Sequence, residues 1–196
     1  IVWIFLMHAR GAEAFNQGLR GVAFIVSLFA CVVLHEFGHA LTAKRFGIVT
    51  RDITLYPIGG ISRFESMPEK PVHELLISLA GPLVNVVIAL ILWIYLSASG
   101  QVPDLSAMDE QQITAVPFLF SLFLANTILA AFNLIPAFPM DGGRVFRALL
   151  SFSLDRALAT RIAASIGQFL AISFVFLGFF YNFWLVFIGL FIFDSL

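Results

Sequence analysis

The sequence predicts an all-α integral membrane protein of about six transmembrane helices, with a small membrane-associated β element between the second and third. Three observations predict it. Hydrophobic residues make up 60% of the 196 positions and charged residues only 12%, where soluble domains carry about 25%. Apolar segments recur at 1–7, 21–43, 75–97, 116–135, 162–180 and 183–193, and a span needs about 20 such residues. The four central segments qualify unaided, and the first and last are expected to be incomplete. Basic residues, finally, are sorted to one side of these segments.

The sorting sets the orientation. Lys44, Arg45, Arg51, Arg63 and Lys70 lie between the second and third segments, and Arg144, Arg147, Arg156 and Arg161 between the fourth and fifth. The connection 98–112 has Asp104, Asp109 and Glu110 but no Lys or Arg. Nine of the eleven basic residues therefore mark one side, which the positive-inside rule makes cytoplasmic. Arg10 and Arg20 fall in the first external loop. The expectation is a single multi-pass domain, 1–196, in the cell membrane. Net charge is −1, which offers no reason to expect a nucleic-acid partner, and the single Cys31 excludes an internal disulfide. The chain opens at Ile1 inside an apolar run and closes at Leu196 after another, so both ends are expected to be cuts through a longer protein.

Segment 48–66, "IVTRDITLYPIGGISRFES", departs from the helical pattern. Alternation in "RDITLY" and the breakers Pro57, Gly59 and Gly60 predict short strands joined by a turn. Irregular backbone at membrane depth must be buried in protein or line a cavity.

The chemistry is concentrated in "FIVSLFACVVLHEFGHALTAKRFG", 24–47. Ionisable residues inside a span are costly and usually functional. Helix positions four apart differ by about 40° and roughly 6 Å of rise, so His35 and His39 project from one face and can grip one metal ion. Glu36, about 100° further round, is placed to act on a water at that metal, the arrangement of HExxH zinc hydrolases. His73-Glu74 has Ile77 where a second histidine would fall and reads as polar residues at a helix start. Cys31, one turn before His35, reads as a small packing residue.

A catalytic zinc takes three protein ligands plus water, and the third is sought in "FNLIPAFPMDGGRVFRALL", 132–150. Pro136 and Pro139 end the fourth helix near Ile135. Asp141, just before the next helical stretch, suits either an N-cap or a ligand, and the unfinished histidine pair decides for the ligand. Asn133 either donates to a developing oxyanion or bonds a carbonyl freed beside Pro136.

"HEFGH", "NLIPAFPMDGG", "PIGGISRF" and "LAGPLVN" together resemble the site-2 protease family of intramembrane zinc metalloproteases. The likeness is to the six-helix prokaryotic branch that carries regulatory CBS domains after the last helix, domains absent from this chain. The resemblance implies one Zn²⁺ held by His35, His39 and Asp141, with Glu36 as catalytic acid/base and a transition-state or substrate-binding role for Asn133. It makes Asn85 a further polar-site candidate. The expected function is endopeptidase cleavage of transmembrane segments of membrane-protein substrates, in lipid, through a zinc-activated water. The active site should lie nearer the cytoplasm, because His35 precedes Lys44 by nine residues, about 14 Å of helix. The substrate is expected to pair as a strand at Gly59, Gly60 and Ile61. A metal-ion or proton-coupled transporter is the alternative, since such residues also build ion paths. A non-catalytic binder of membrane substrates is disfavoured by the intact Glu36.

Overall fold

The computed structural model describes residues 12–48, 50–56, 59–64, 70–103 and 117–194. Its elements, in chain order, are α1 (Ala12–Arg45), β1 (Thr50–Tyr56), β2 (Gly59–Phe64), α2 (Pro71–Ala98), α3 (Phe118–Asn133), α4 (Asp141–Leu150), α5 (Arg156–Phe180) and α6 (Phe183–Asp194). Among the described residues, three helices are long and apolar enough to cross a membrane: Gly18–Arg45 of α1, α2 and α5. The apolar helices α3 and α6 are shorter.

Five of the six expected segments are helices, α1, α2, α3, α5 and α6, although only three of these are long enough to span. The predicted first segment, 1–7, lies outside the described residues, and α4 is an additional short helix rather than a span. Helix α1 also begins well before residue 21 and takes in Arg20, assigned above to an external loop. Ala12, Glu13, Gln17, Leu19 and Arg20 are good helix formers. A helix of 34 residues is about 51 Å long, well beyond the roughly 30 Å apolar core of a bilayer.

Helix α1 ends in a Schellman motif. Gly47 adopts φ 76°, the left-handed conformation that glycine takes without strain. The Ile48 N–H donates to Ala43 O and the Gly47 N–H to Lys44 O, each at 3.1 Å. The turn folds Ile48 onto Ala43, and both pack with Ile77 of α2. Beyond it, β1 and β2 pair antiparallel from Thr50↔Phe64 to Tyr56↔Gly59 and lie against α1.

Helix α2, with Pro71 in its first turn, is the centre of the packing and touches α1, α3 and α4. Gly38 brings α1 onto it so closely that a Cβ there would sit 2.8 Å from Ala80 O. Helix α3 ends at Asn133, two residues earlier than the prolines suggest. The following loop, with a cis Phe138–Pro139 bond, packs Ala137 and Met140 against Ala171 of α5 and Ile192 of α6. Asp155 caps α5, accepting from the Ala157 and Leu158 N–H groups. Asn182 turns the chain into α6, its Oδ1 accepting from the Trp184 N–H at 3.0 Å. Much of the outer surface is large and apolar, with Phe169, Phe176, Phe179 and Trp184 all more than 60% exposed. Lipid-facing helices require such a surface, and water would penalise it.

Glu74 corrects the reading of His73-Glu74 as ordinary polar residues. It is buried, and its carboxylate accepts from the Arg147 Nε–H of α4 at 2.8 Å and also from Nη2. Arg156 approaches the other oxygen at 3.7 Å. A carboxylate withdrawn from water demands a cation, and Arg147, counted above among the positive charges of a loop, supplies it. The Arg147 guanidinium also lies 5.2 Å over the Phe138 ring. The pair ties α4 to α2.

Candidate metal centre

Two elements far apart in sequence meet at one point. His35 and His39 lie a helical turn apart on α1, both buried, with ring centroids 4.8 Å apart. Asp141 is the first residue of α4, and the N-cap is Met140, which makes no side-chain capping bond. The Asp141 carboxylate turns instead toward the histidines, with Oδ2 at 3.1 Å from Nε2 of each. The two Nε2 atoms are themselves 3.1 Å apart. Ligands 2.0–2.1 Å from a tetrahedral centre lie roughly 3.3 Å from one another, so the triangle is the size a zinc site needs.

The outer hydrogen bonds decide which ring nitrogens are free. His39 Nδ1 lies 2.7 Å from Ile77 O, a backbone carbonyl that can only accept, so Nδ1 carries the proton. His35 Nδ1 lies 2.5 Å from Asn85 Oδ1, again an acceptor. Both Nε2 atoms of the neutral rings therefore present lone pairs toward the same carboxylate oxygen. Three converging acceptors repel one another unless a cation lies among them. The donor set fits a divalent metal with nitrogen and oxygen affinity. Among the described residues this is the His/Cys/Asp/Glu group placed to hold a metal ion, with all ligand atoms within 4.8 Å of one another.

Glycines make room for it. A Cβ on Gly81 of α2 would lie 2.1 Å from His39 Nε2 and 2.7 Å from His35 Nε2, so the bare backbone of α2 forms one wall. A Cβ on Gly142 would meet Ile135 O at 2.2 Å, and one on Gly143 would meet the Ala137 carbonyl carbon at 2.7 Å. The "DGG" turn is therefore pressed against loop 134–138, which fixes where Asp141 can point.

Of the remaining sequence candidates, Glu36 is buried beside the histidines on α1. Asn133 ends α3, half-buried, with no side-chain hydrogen bond to the described residues. Asn85, the further polar-site candidate with substrate binding as its expected role, is fully buried behind His35. Gly59, Gly60 and Ile61 lie in β2, opposite Tyr56, Leu55 and Thr54. Cys31 is buried, with its Sγ 3.4 Å from Asn126 Nδ2 rather than at the three ligand atoms. Asn126 itself, fully buried on Asn85, escaped the sequence reading. An amide in the middle of "FLFSLFLANTILAAFN" was the available signal, because lipid-embedded amides seek partners on neighbouring helices.

Known proteins are similar to this chain. The sequence matches Peptidase family M50 over residues 23–116 and 99–178. It is 40% identical over 169 residues to "Zinc metalloprotease MJ0392" of Methanocaldococcus jannaschii, covering 86% of this chain and 46% of that protein. It is 32% identical to "Putative zinc metalloprotease sll0528" of Synechocystis, covering 96% and 51% respectively. The chain thus spans about half the length of the curated relatives it matches. The solved "Site-2 Protease from Methanocaldococcus jannaschii" superposes with a TM-score of 0.67 at 35% identity, over 99% of this chain and 81% of that one. With its HEFGH helix and MDGG turn joined in one buried cluster, the chain belongs to Peptidase family M50, the site-2 protease family.

Proposed function

We propose that this protein is a zinc-dependent intramembrane endopeptidase that cuts transmembrane segments of other membrane proteins, with His35, His39 and Asp141 as the zinc ligands. The observation that carries the reading is the convergence of three acceptors, the two buried histidines fixed as lone pairs by outer hydrogen bonds and the half-buried Asp141. A zinc ion held by His35, His39 and Asp141 would supply an acidified water and a Lewis acid for the scissile carbonyl. Glu36 takes the proton of the attacking water and returns it to the leaving amine. It can do both because it follows His35 directly on α1 and is buried away from competing solvent. Asn133 donates its amide to the oxygen that gains charge in the transition state, which suits a side chain uncommitted to other described residues. Asn85 holds His35 rather than the substrate.

A transmembrane helix hides its amides in its own hydrogen bonds, so the substrate must unwind. The β2 strand offers an edge for the extended segment, with Gly59 and Gly60 allowing close backbone approach. Basic residues at the end of α1 support a site nearer the cytoplasmic side of the cell membrane. The relatives reported above are named as zinc metalloproteases or a site-2 protease, which leaves the transporter reading without support.

The test is cleavage of a transmembrane peptide by purified protein, with and without a zinc chelator, alongside Glu36→Gln. Glu36→Gln should retain zinc and lose cleavage by about 10²–10⁴-fold, the contribution of a positioned acid/base. Chelator-resistant cleavage, or turnover near the parent rate in Glu36→Gln, overturns the proposal.

A further inference from the structure

We propose that Asn126 is a positioning residue for His35, acting through Asn85 to decide which ring nitrogen carries the proton and so which one faces the metal. The inference deepens the zinc reading above and rests on it.

The direction of the hydrogen-bond chain follows from its anchor. Leu122 O is a backbone carbonyl and can only accept. Asn126 Nδ2 donates to it at 2.9 Å and also faces Cys31 Sγ at 3.4 Å. Asn126 Oδ1 must then face the other way, where it accepts from Asn85 Nδ2 at 2.9 Å. That leaves Asn85 Oδ1 toward His35 Nδ1, 2.5 Å away, and the histidine must donate. Turning over either amide alone would set oxygen against oxygen or N–H against N–H. Both asparagines are fully buried, so water cannot relieve such a mismatch.

His39 needs no such chain, because a backbone carbonyl, Ile77 O, fixes its tautomer in one step. For His35 two side chains from two helices do the same work, with α3 supplying the anchor and α2 the contact. Outer partners of this kind set the tautomer and ring orientation of metal-binding histidines and typically account for about 10–100-fold in metal affinity.

The experiment uses the purified full chain in detergent. Asn126→Leu is close in shape and frees the Asn85 amide to turn over. Zinc affinity, read by chelator competition, should fall by about 10-fold or more. Ring-nitrogen NMR on ¹⁵N-histidine-labelled, metal-free protein, at a pH where the ring is neutral, should show His35 shifting from Nδ1–H toward Nε2–H. The second variant is Asn85→Asp with Asn126→Leu. A carboxylate can only accept, so it holds the His35 Nδ1–H without help from Asn126 and should recover most of the lost affinity. A network that merely glues helices together predicts instead that the two substitutions lose affinity additively. Parent-like zinc affinity and tautomer in Asn126→Leu, or a double variant weaker than Asn126→Leu, overturns the inference. Should Asn126→Leu not fold, the metal-free parent decides: a His35 proton on Nε2 overturns it, and one on Nδ1 supports it. A parent that keeps Nδ1–H yet binds no zinc sinks the metal reading rather than the chain.

Discussion

Replacing Gly81 with alanine adds one methyl group to α2 and nothing elsewhere. In an ordinary helix interior the change would stabilise by roughly 1 kcal/mol, because glycine is the poorer helix former. Here the new Cβ would fall 2.1 Å from His39 Nε2, 2.6 Å from His39 Cε1 and 2.7 Å from His35 Nε2. Ordinary contact begins at 3.4 Å, so the histidines or α2 must give way by more than an ångström. Metal–ligand distances tolerate about 0.2 Å, so the displacement is several times what a metal site can absorb. Neither partner can yield cheaply. Both rings are buried and pinned at Nδ1, and α2 is held against α1 at Gly38. Gly81→Ala should therefore weaken zinc by at least about 100-fold, the upper end of what outer-partner substitutions cost. Gly21→Ala is the control, since its Cβ would meet nothing within 4 Å. Zinc content after dialysis, chelator competition and thermal unfolding in excess chelator separate lost metal from lost fold. A Gly81→Ala protein that folds and binds zinc as the parent does would refute the placement of α2 as a wall of the site.

Asp141→Asn keeps the shape and removes the charge. If the carboxylate is a ligand, zinc affinity and cleavage both fall, while normal metal content and activity would return Asp141 to a helix-starting role. Glu74→Gln leaves Arg147 buried beside a neutral amide and should destabilise by about 3–5 kcal/mol in denaturant unfolding, as removing one member of a buried pair does. Unchanged stability would mean that the pair is compensated elsewhere. In β2, backbone N–H groups point alternately toward β1 and away from it. A proline scan that includes Ile61→Pro should find outward positions where cleavage drops while zinc content and unfolding temperature hold. Full cleavage in every folded variant would move substrate docking away from this strand.

The legible part of the site was the part made within one helix. His35 and His39 share a face because four residues make about one turn, whatever surrounds the helix. Asp141 could be proposed from sequence only because two histidines need a third ligand. Its alternative, a helix N-cap, was rejected by tertiary packing: "DGG" is pressed against loop 134–138, which makes Met140 the cap and aims the carboxylate at α1. The long α1 went unread because hydropathy marks where lipid begins, not where helical backbone stops.

By itself the sequence determined the membrane class, the side bearing the basic residues and the histidine pair, which follow from composition and local periodicity, and it pointed to the family through the resemblance of four short motifs. Only the tertiary structure decided which residues stand behind the ligands. His35 and Asp141 are 106 positions apart, and His35 and Asn85 are 50 apart. No local propensity encodes such distances. They arise from the close packing of α1 on α2 at Gly38 and Gly81 and from the contacts of α2 with α3 and α4, which turn Asn85 and Asn126 from isolated amides into partners of a histidine and Glu74 into half of a buried ion pair.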